Sequence, residues 1–310
     1  MIRAENITKR FEDCVALHDV TCHIESGSIY GMVGSNGAGK STLLRLLSGV
    51  YKPDSGTIRI DGEEVYDNPA AKSRIVLVPD ELYFLPGANL RRMAKLYESF
   101  YPRFDWKRFH FLAESFQLDE TRAIRGFSKG MKRQSAILLA LSTQADYYFF
   151  DETFDGLDPI MRSLVKGLFS EDVADRGATA IITSHSLREL EETCDQLAFL
   201  HEGGLVMEGD VEELKSTLFK VQIAFSEPFD ESLFQDLRVE KCRINGMVAQ
   251  LILRGDREEV MDTLQYLDPV ILEIVPLNLE EIFTYELKEK GYSFDQVLEQ
   301  EAKTDEEETV

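Results

Sequence analysis

Residues 34–41 read GSNGAGKS, and this stretch decides the fold. It satisfies G-x-x-x-x-G-K-[ST] in full. Residues 28–33 (SIYGMV) form an apolar run that reads as a strand, and residues 42–47 (TLLRLL) read as a helix. A strand, a glycine-rich turn and a helix in that order build an anion cradle. Glycine lets successive backbone N–H groups curl around a phosphate, and the helix N-terminus adds partial positive charge. The cradle comprises Ser35, Asn36, Gly37, Ala38, Gly39, Lys40, Ser41 and Thr42. Lys40 is expected to reach the β- and γ-phosphates of a nucleotide, and the Ser41 hydroxyl to ligate Mg²⁺.

Two further stretches point to the same edge of one sheet. Residues 147–152 read YYFFDE, an apolar run feeding two carboxylates about 110 residues after the cradle. In doubly wound sheets, ligands bind at the carboxyl ends of the strands. Asp151 is expected to hold the Mg²⁺ shell, and Glu152 to polarise a water for attack on the γ-phosphate. His185 follows another apolar run, in AIITSHS, and is expected to hydrogen-bond the γ-phosphate. The catalytic set read here is Glu152, His185 and Lys40.

Outward from these motifs, the first two thirds alternate apolar runs with helical patterns, the rhythm of an α/β domain with a mostly parallel sheet. Runs 147–150 and 178–183 read as strands, and 89–118 as helical. Near residue 215 the pattern changes. Residues 218–225, 237–244, 247–253 and 270–275 read as strands, with helices over 257–267 and 279–290. The domains expected are 1–215, with a helical subdomain at about 86–133, then 216–292 as a small α+β accessory domain. The acidic tail 293–310, ending DEEETV, is expected to be disordered.

Composition bounds the function. The 310 residues carry 34 basic and 56 acidic side chains, a net charge of −22. A free nucleic-acid binder carries a basic face, so none is expected. Residues 86–133 nevertheless hold 11 Lys/Arg against 5 Asp/Glu. That run reads either as solvated helix faces or as a surface toward a phosphate-bearing ligand, an acidic partner loop or a membrane. The four cysteines, Cys14, Cys22, Cys194 and Cys242, form no CxxC pair, so no structural zinc is expected and a reducing cytosol fits. The first residues, MIRAENITKRF, lack the apolar run of a signal peptide, and no run approaches the ~20 apolar residues of a membrane span. No NKxD guanine motif occurs.

These residues resemble the ATP-binding subunit of an ABC transporter over about 1–215. The resemblance implies a P-loop NTPase of the ABC type, α/β with a helical signature subdomain, followed here by the α+β domain. Phe11, in TKRFEDCVALHDV, matches the aromatic that stacks on adenine. FSKGMKRQ, residues 127–134, matches the signature usually written LSGGQ; Ser128 and the Gly130 N–H open a helix there. TFDGLDP, with Asp158, matches the loop after the carboxylates, and His185 the switch histidine.

The resemblance implies that two chains dimerise head to tail, a homodimer being favoured. Each signature then contacts ATP held by the other chain, and hydrolysis releases the dimer. It also implies a separate multi-span permease and a cytoplasmic location on the inner membrane face. Lys129 and Met131 depart from the signature, and Asp80, in IVLVPDELYF, stands where the family has a glutamine that senses Mg²⁺. Aspartate can still serve the metal. PDELYF, YPRFDW, FSKGMK and the LEEIF at 279–283 resemble the bacterial type-2 exporter branch, which implies export of a drug, antibiotic or peptide. The alternative is a soluble ATPase of the same family acting with a non-membrane partner.

Overall fold

Two sheets and a helix caught between them frame the cradle. The computed structural model describes residues 1–12 and 14–289, so the acidic tail 293–310 lies outside the described residues. The described chain divides into two compact units, one of Met1–Glu208 and a second that begins at Gly209.

The first unit begins with β1 (Ile2–Phe11) and β2 (Cys14–Ile24), then β3 (Ile29–Val33), α1 (Lys40–Leu47), β4 (Ser55–Ile60), β5 (Glu63–Glu64) and α2 (Pro69–Lys72). There follow β6 (Ile75–Val78), α3 (Leu90–Phe100), α4 (Trp106–Ser115), α5 (Lys129–Ser142) and β7 (Tyr147–Phe150). The unit closes with α6 (Pro159–Arg176), β8 (Thr179–Ser184), α7 (Leu187–Glu191), β9 (Gln196–His201) and β10 (Gly204–Asp210), the last running across the division.

Six strands form one sheet in the order β10-β9-β3-β8-β7-β6. Its inner pairs β9/β3, β3/β8, β8/β7 and β7/β6 are parallel. Every residue of β3, β7 and β8 is buried, as a parallel strand covered on both faces requires. A second sheet, β2-β1-β4-β5, is antiparallel. The sequence pattern had not disclosed it. The β1–β2 register shifts three times between Ala4 and Arg10, and Asn6 and Asp19 adopt positive φ of 52° and 50°. Such irregularities break the period-two alternation that marks a strand. Between the sheets, Leu43, Leu44, Leu46 and Leu47 of α1 share one core with Ile2, Leu17 and Val20 on one side and Phe149, Ile181 and Ala198 on the other.

The second unit holds α8 (Val211–Thr217), β11 (Leu218–Ala224), β12 (Val239–Asn245), β13 (Val248–Arg254), α9 (Arg257–Gln265), β14 (Ile271–Val275) and α10 (Leu279–Glu289). Its antiparallel sheet runs β12-β13-β11-β14. Phe219, Val221 and Ile223 pack with Leu251, Leu253 and the Val260 and Leu264 of α9. Lys220 and Arg254 bind Glu281 and Glu286 of α10 at 2.8 and 2.7 Å. The division at Glu208 puts α8 in this unit, upstream of the composition change near residue 215. Among the described residues, no helix is long and apolar enough to cross a membrane.

Candidate active site

The turn between β3 and α1 is shaped by close backbone approaches. Gly39 has φ of 101°, and a Cβ there would meet Leu17 Cδ2 at 2.6 Å and the Ala16 carbonyl at 2.8 Å. A Cβ on Gly34 would meet the Leu200 carbonyl at 2.3 Å. Only glycine allows the loop to pass these neighbours. Gly39 caps α1 with no side-chain hydrogen bond, so the first-turn N–H groups lack a side-chain acceptor and can receive an anion.

The loop opens on a cleft of about 410 Å³. Ser35, Asn36, Gly37, Ala38, Gly39, Lys40, Ser41 and Thr42 all line it, together with Cys14, Val15, Ala16, Asp80, Glu152, Glu202 and Gly203. Lys40 is buried, and its Nζ donates to the carbonyls of Gly34 at 2.6 Å and Ser35 at 3.2 Å. The same Nζ lies 3.4 Å from Glu152 Oε1.

The parallel sheet explains how Asp151, Glu152 and His185 converge. Val78, Phe150 and Ile182 are paired neighbours across β6, β7 and β8, so the residues that follow them emerge at one edge. Asp151 is buried and accepts hydrogen bonds from Ser41 Oγ and Thr183 Oγ1, both at 2.8 Å. The Glu152 N–H donates to Thr183 Oγ1 at 3.0 Å. Glu152 itself has φ of 45°, a left-handed conformation unusual for a side chain of this size. His185 Nδ1 lies 3.2 Å from Glu152 Oε2 and 4.0 Å from Asp155 Oδ2.

Electrostatics couple these groups. The hydrogen bond to Glu152 is the main cause that pushes the His185 pKa up to about 9, against an opposing effect of burial. The ring is therefore an imidazolium at neutral pH. Burial opposes ionisation of Glu152, but the His185 hydrogen bond and the Lys40 charge outweigh it and hold the carboxyl below its ordinary range. Asp155 moves the other way, raised mainly by burial.

The remaining expected residues lie around this centre. Phe11 is 40% exposed, with its ring edge-on to Tyr51 at a centroid distance of 5.3 Å and Lys9 Nζ 5.4 Å from its centre. It is not among the residues lining the cleft, where Cys14, Val15 and Ala16 form the nearby wall. Ser128 caps α5 by accepting from the Met131 N–H at 3.2 Å, and a Cβ on Gly130 would meet the Gly156 carbonyl at 3.0 Å. Neither Ser128 nor Gly130 lines the cleft of its own chain. Asp158 caps α6 through the Met161 N–H at 3.0 Å.

Asp80 lines the cleft but is already bonded, accepting from Arg133 Nη2 at 2.6 Å. Three participants were absent from the sequence reading. Thr183 joins Asp151 to Glu152, Asp155 approaches His185, and Arg133 holds Asp80. Thr183 could have been suspected as a polar residue inside the apolar run AIITS. Arg133 looked like one more surface cation of a basic run.

The donor set suits a hard divalent cation. Ser41 Oγ and Asp151 Oδ1 are 2.8 Å apart at the mouth of the phosphate loop, and Asp80 is a third oxygen donor on the cleft wall.

A family model described as ABC transporter matches residues 17–155. The chain is similar to the ABC transporter ATP-binding protein YtrB of Bacillus subtilis, 31% identical over 283 residues, 91% of this chain and 97% of that one. It is also similar to the bacitracin transport ATP-binding protein BcrA of Enterococcus faecalis, 30% identical over 219 residues, 69% of this chain and 70% of that one. A solved ATP-binding subunit of an ABC transporter superposes with a TM-score of 0.65 at 26% identity, over 69% of this chain and 92% of that one.

Proposed function

The chain belongs to the ABC transporter ATP-binding family, and from that premise we propose that it hydrolyses ATP at the cleft above Gly39 and Lys40 to drive a separate membrane permease. One observation carries the reading. Lys40, Glu152 and His185 form a connected chain of charges, with distances of 3.4 and 3.2 Å, beside the Ser41–Asp151 oxygen pair.

The phosphates sit on the uncapped first turn of α1. Lys40 exchanges its carbonyl partners and Glu152 for β- and γ-phosphate oxygens, where its charge stabilises the transferred group. Ser41, Asp151 and Asp80 would hold Mg²⁺, which neutralises phosphate charge when bound. Glu152, released from Lys40, keeps its ionised carboxylate for the attacking water. His185 keeps Glu152 oriented and presents its proton to the γ-phosphate oxygen. Phe11 covers the adenine. Ser128 and the Gly130 N–H act on the nucleotide of the partner subunit, a reading supported by their absence from the lining of their own cleft. The closed state is a head-to-tail homodimer with two ATP molecules at its interface.

The similarity to a bacitracin transport protein supports export of an antibiotic, drug or peptide. Cargo contacts lie in the permease, and this chain sits on the cytoplasmic membrane face through that partner. Residues 216–292 act as an accessory domain to the 1–215 ATPase. The test is capture of tagged Glu152→Gln from native membranes with ATP and Mg²⁺. A stoichiometric multi-span protein is the expected companion. Recovery with a soluble partner alone overturns the transport reading in favour of a soluble ATPase.

A further inference from the structure

Arg133 is the most deeply buried cation of the basic run 86–133. Its side chain is 3% exposed, while that of its partner Asp80 is 54% exposed. The guanidinium uses two nitrogens on two neighbours in one stretch of chain. Nη1 donates to the Pro79 carbonyl at 3.1 Å, and Nη2 to Asp80 Oδ1 at 2.6 Å. Pro79 and Asp80 directly follow β6, whose last residue Val78 accepts from the Asp151 N–H at 2.9 Å. Arg133 therefore ties α5 to the rim of the cleft at the same sheet edge that carries Asp151 and Glu152.

Charge explains why this tie is made by an arginine. Asp80 lines the cleft together with the carboxylates of Glu152 and Glu202, and Asp151 is buried beside Ser41. An unpaired carboxylate there repels the phosphates that the cleft must receive. Arg133 neutralises it, and its rigid planar fork holds the carbonyl and the carboxylate in one fixed geometry through two separate nitrogens, which the rotatable ammonium of a lysine does not impose. The same guanidinium also acts electrostatically on Asp155, in the loop that Gly130 touches through Gly156. This anchor stands five residues beyond Ser128, the N-cap of α5 and the residue offered to the partner nucleotide.

We propose that Arg133 is a positioning residue: by clamping Pro79 and Asp80 it fixes where α5 presents Ser128 and Gly130 to the opposing subunit. The inference rests on the reading that ATP closes two chains head to tail. It locates the effect of Arg133 in assembly of the composite site. Nucleotide capture by a single chain does not depend on it.

The experiment uses the full chain in the Glu152→Gln background. ATP-dependent dimerisation is followed by analytical ultracentrifugation, and binding of a fluorescent ATP analogue is measured at concentrations where the chain is monomeric. Arg133→Gln is expected to weaken ATP-dependent dimerisation at least about tenfold, the size of one lost charge-assisted hydrogen bond. Analogue affinity of the monomer is expected to stay within about threefold, a difference below 1 kcal/mol. Arg133→Lys falls between, because it keeps the charge and loses the fork. The pairwise term is isolated by adding Asp80→Asn, which restores an amide–amide pair and removes the unneutralised carboxylate. At saturating Mg²⁺, which offsets any loss of Asp80 from the metal shell, the double variant is expected to recover dimerisation relative to Arg133→Gln alone.

Wild-type dimerisation by Arg133→Gln overturns the proposal. So does an equal loss of monomer binding and dimerisation, and so does strict additivity with Asp80→Asn. If the Glu152→Gln chain with Arg133 intact fails to dimerise with ATP, the underlying dimer reading fails instead, and the two failures are distinct. Circular dichroism melts of each variant separate unfolding from misplacement. Should Arg133→Gln not fold, the Arg133→Lys and Asp80→Asn comparison carries the same test.

Discussion

Lys40 Nζ lies 3.4 Å from Glu152 Oε1, so the ammonium proposed to bind phosphate and the carboxylate proposed as the base form an ion pair. Both are largely buried, with side chains 5% and 14% exposed. In the proposed mechanism, phosphate entry draws Lys40 away from this pair and frees Glu152 for water. On that proposal, substrate binding and unmasking of the base are one event.

Replacing Glu152 with Gln keeps the shape and removes the base. Phosphate release is expected to fall by about 10²–10⁴-fold, the usual contribution of general-base catalysis. Nucleotide binding is expected to persist or tighten, because Lys40 no longer has a competing carboxylate. Steady-state phosphate release and equilibrium binding of ATP check both halves; normal turnover removes Glu152 from the role of base.

Lys40→Ala removes the charge that meets the β- and γ-phosphates. A charge-assisted hydrogen-bonding group contributes about 1.5–3 kcal/mol, so ATP affinity should drop by about 10–150-fold. Isothermal titration with ATP is the measurement. Unchanged affinity contradicts the phosphate-loop assignment.

The His185 pKa is raised from 6.5 to about 9, principally by Glu152. The stabilising effect of the pair is fully present below about pH 6.5 and is lost as pH rises through about 9. Hydrolysis that uses the imidazolium should therefore decline across pH 8–10 with an apparent pKa of about 9. In His185→Ala this alkaline limb should vanish along with most of the activity. A pH–kcat profile of both proteins decides the matter; an identical limb in the variant assigns the titration elsewhere.

Asp80→Asn retains the shape and an acceptor for Arg133 while removing the carboxylate charge. If Asp80 belongs to the metal shell, the Mg²⁺ concentration giving half-maximal ATPase activity should rise several-fold. A Mg²⁺ titration at saturating ATP reads this directly. A superimposable curve excludes Asp80 from the shell.

Phe283 is fully buried in α10 of the second unit. Truncation to Ala should cost that unit about 3–5 kcal/mol through lost burial and a cavity. Faster amide hydrogen exchange in β11 and β13 is the expected sign. Unaltered exchange there shows that α10 does not support the sheet.

The sequence by itself determined the strand–loop–helix turn of the cradle. A contiguous loop such as GSNGAGKS specifies local backbone geometry, and local geometry is what places N–H groups around a phosphate. Runs such as YYFFDE and AIITSHS likewise announced buried parallel strands ending in polar residues, because full burial leaves an unbroken apolar signature. Folding alone decided the partnerships. The antiparallel sheet escaped notice where bulges broke its alternation. Thr183, Asp155 and Arg133 escaped because their roles arise across β7, β8 and α5, between residues far apart in the chain. Arg133 shows the reason most plainly. A cation in a basic run looks solvated until packing removes its water, and only the tertiary structure supplies the carboxylate of Asp80 that makes its burial tolerable.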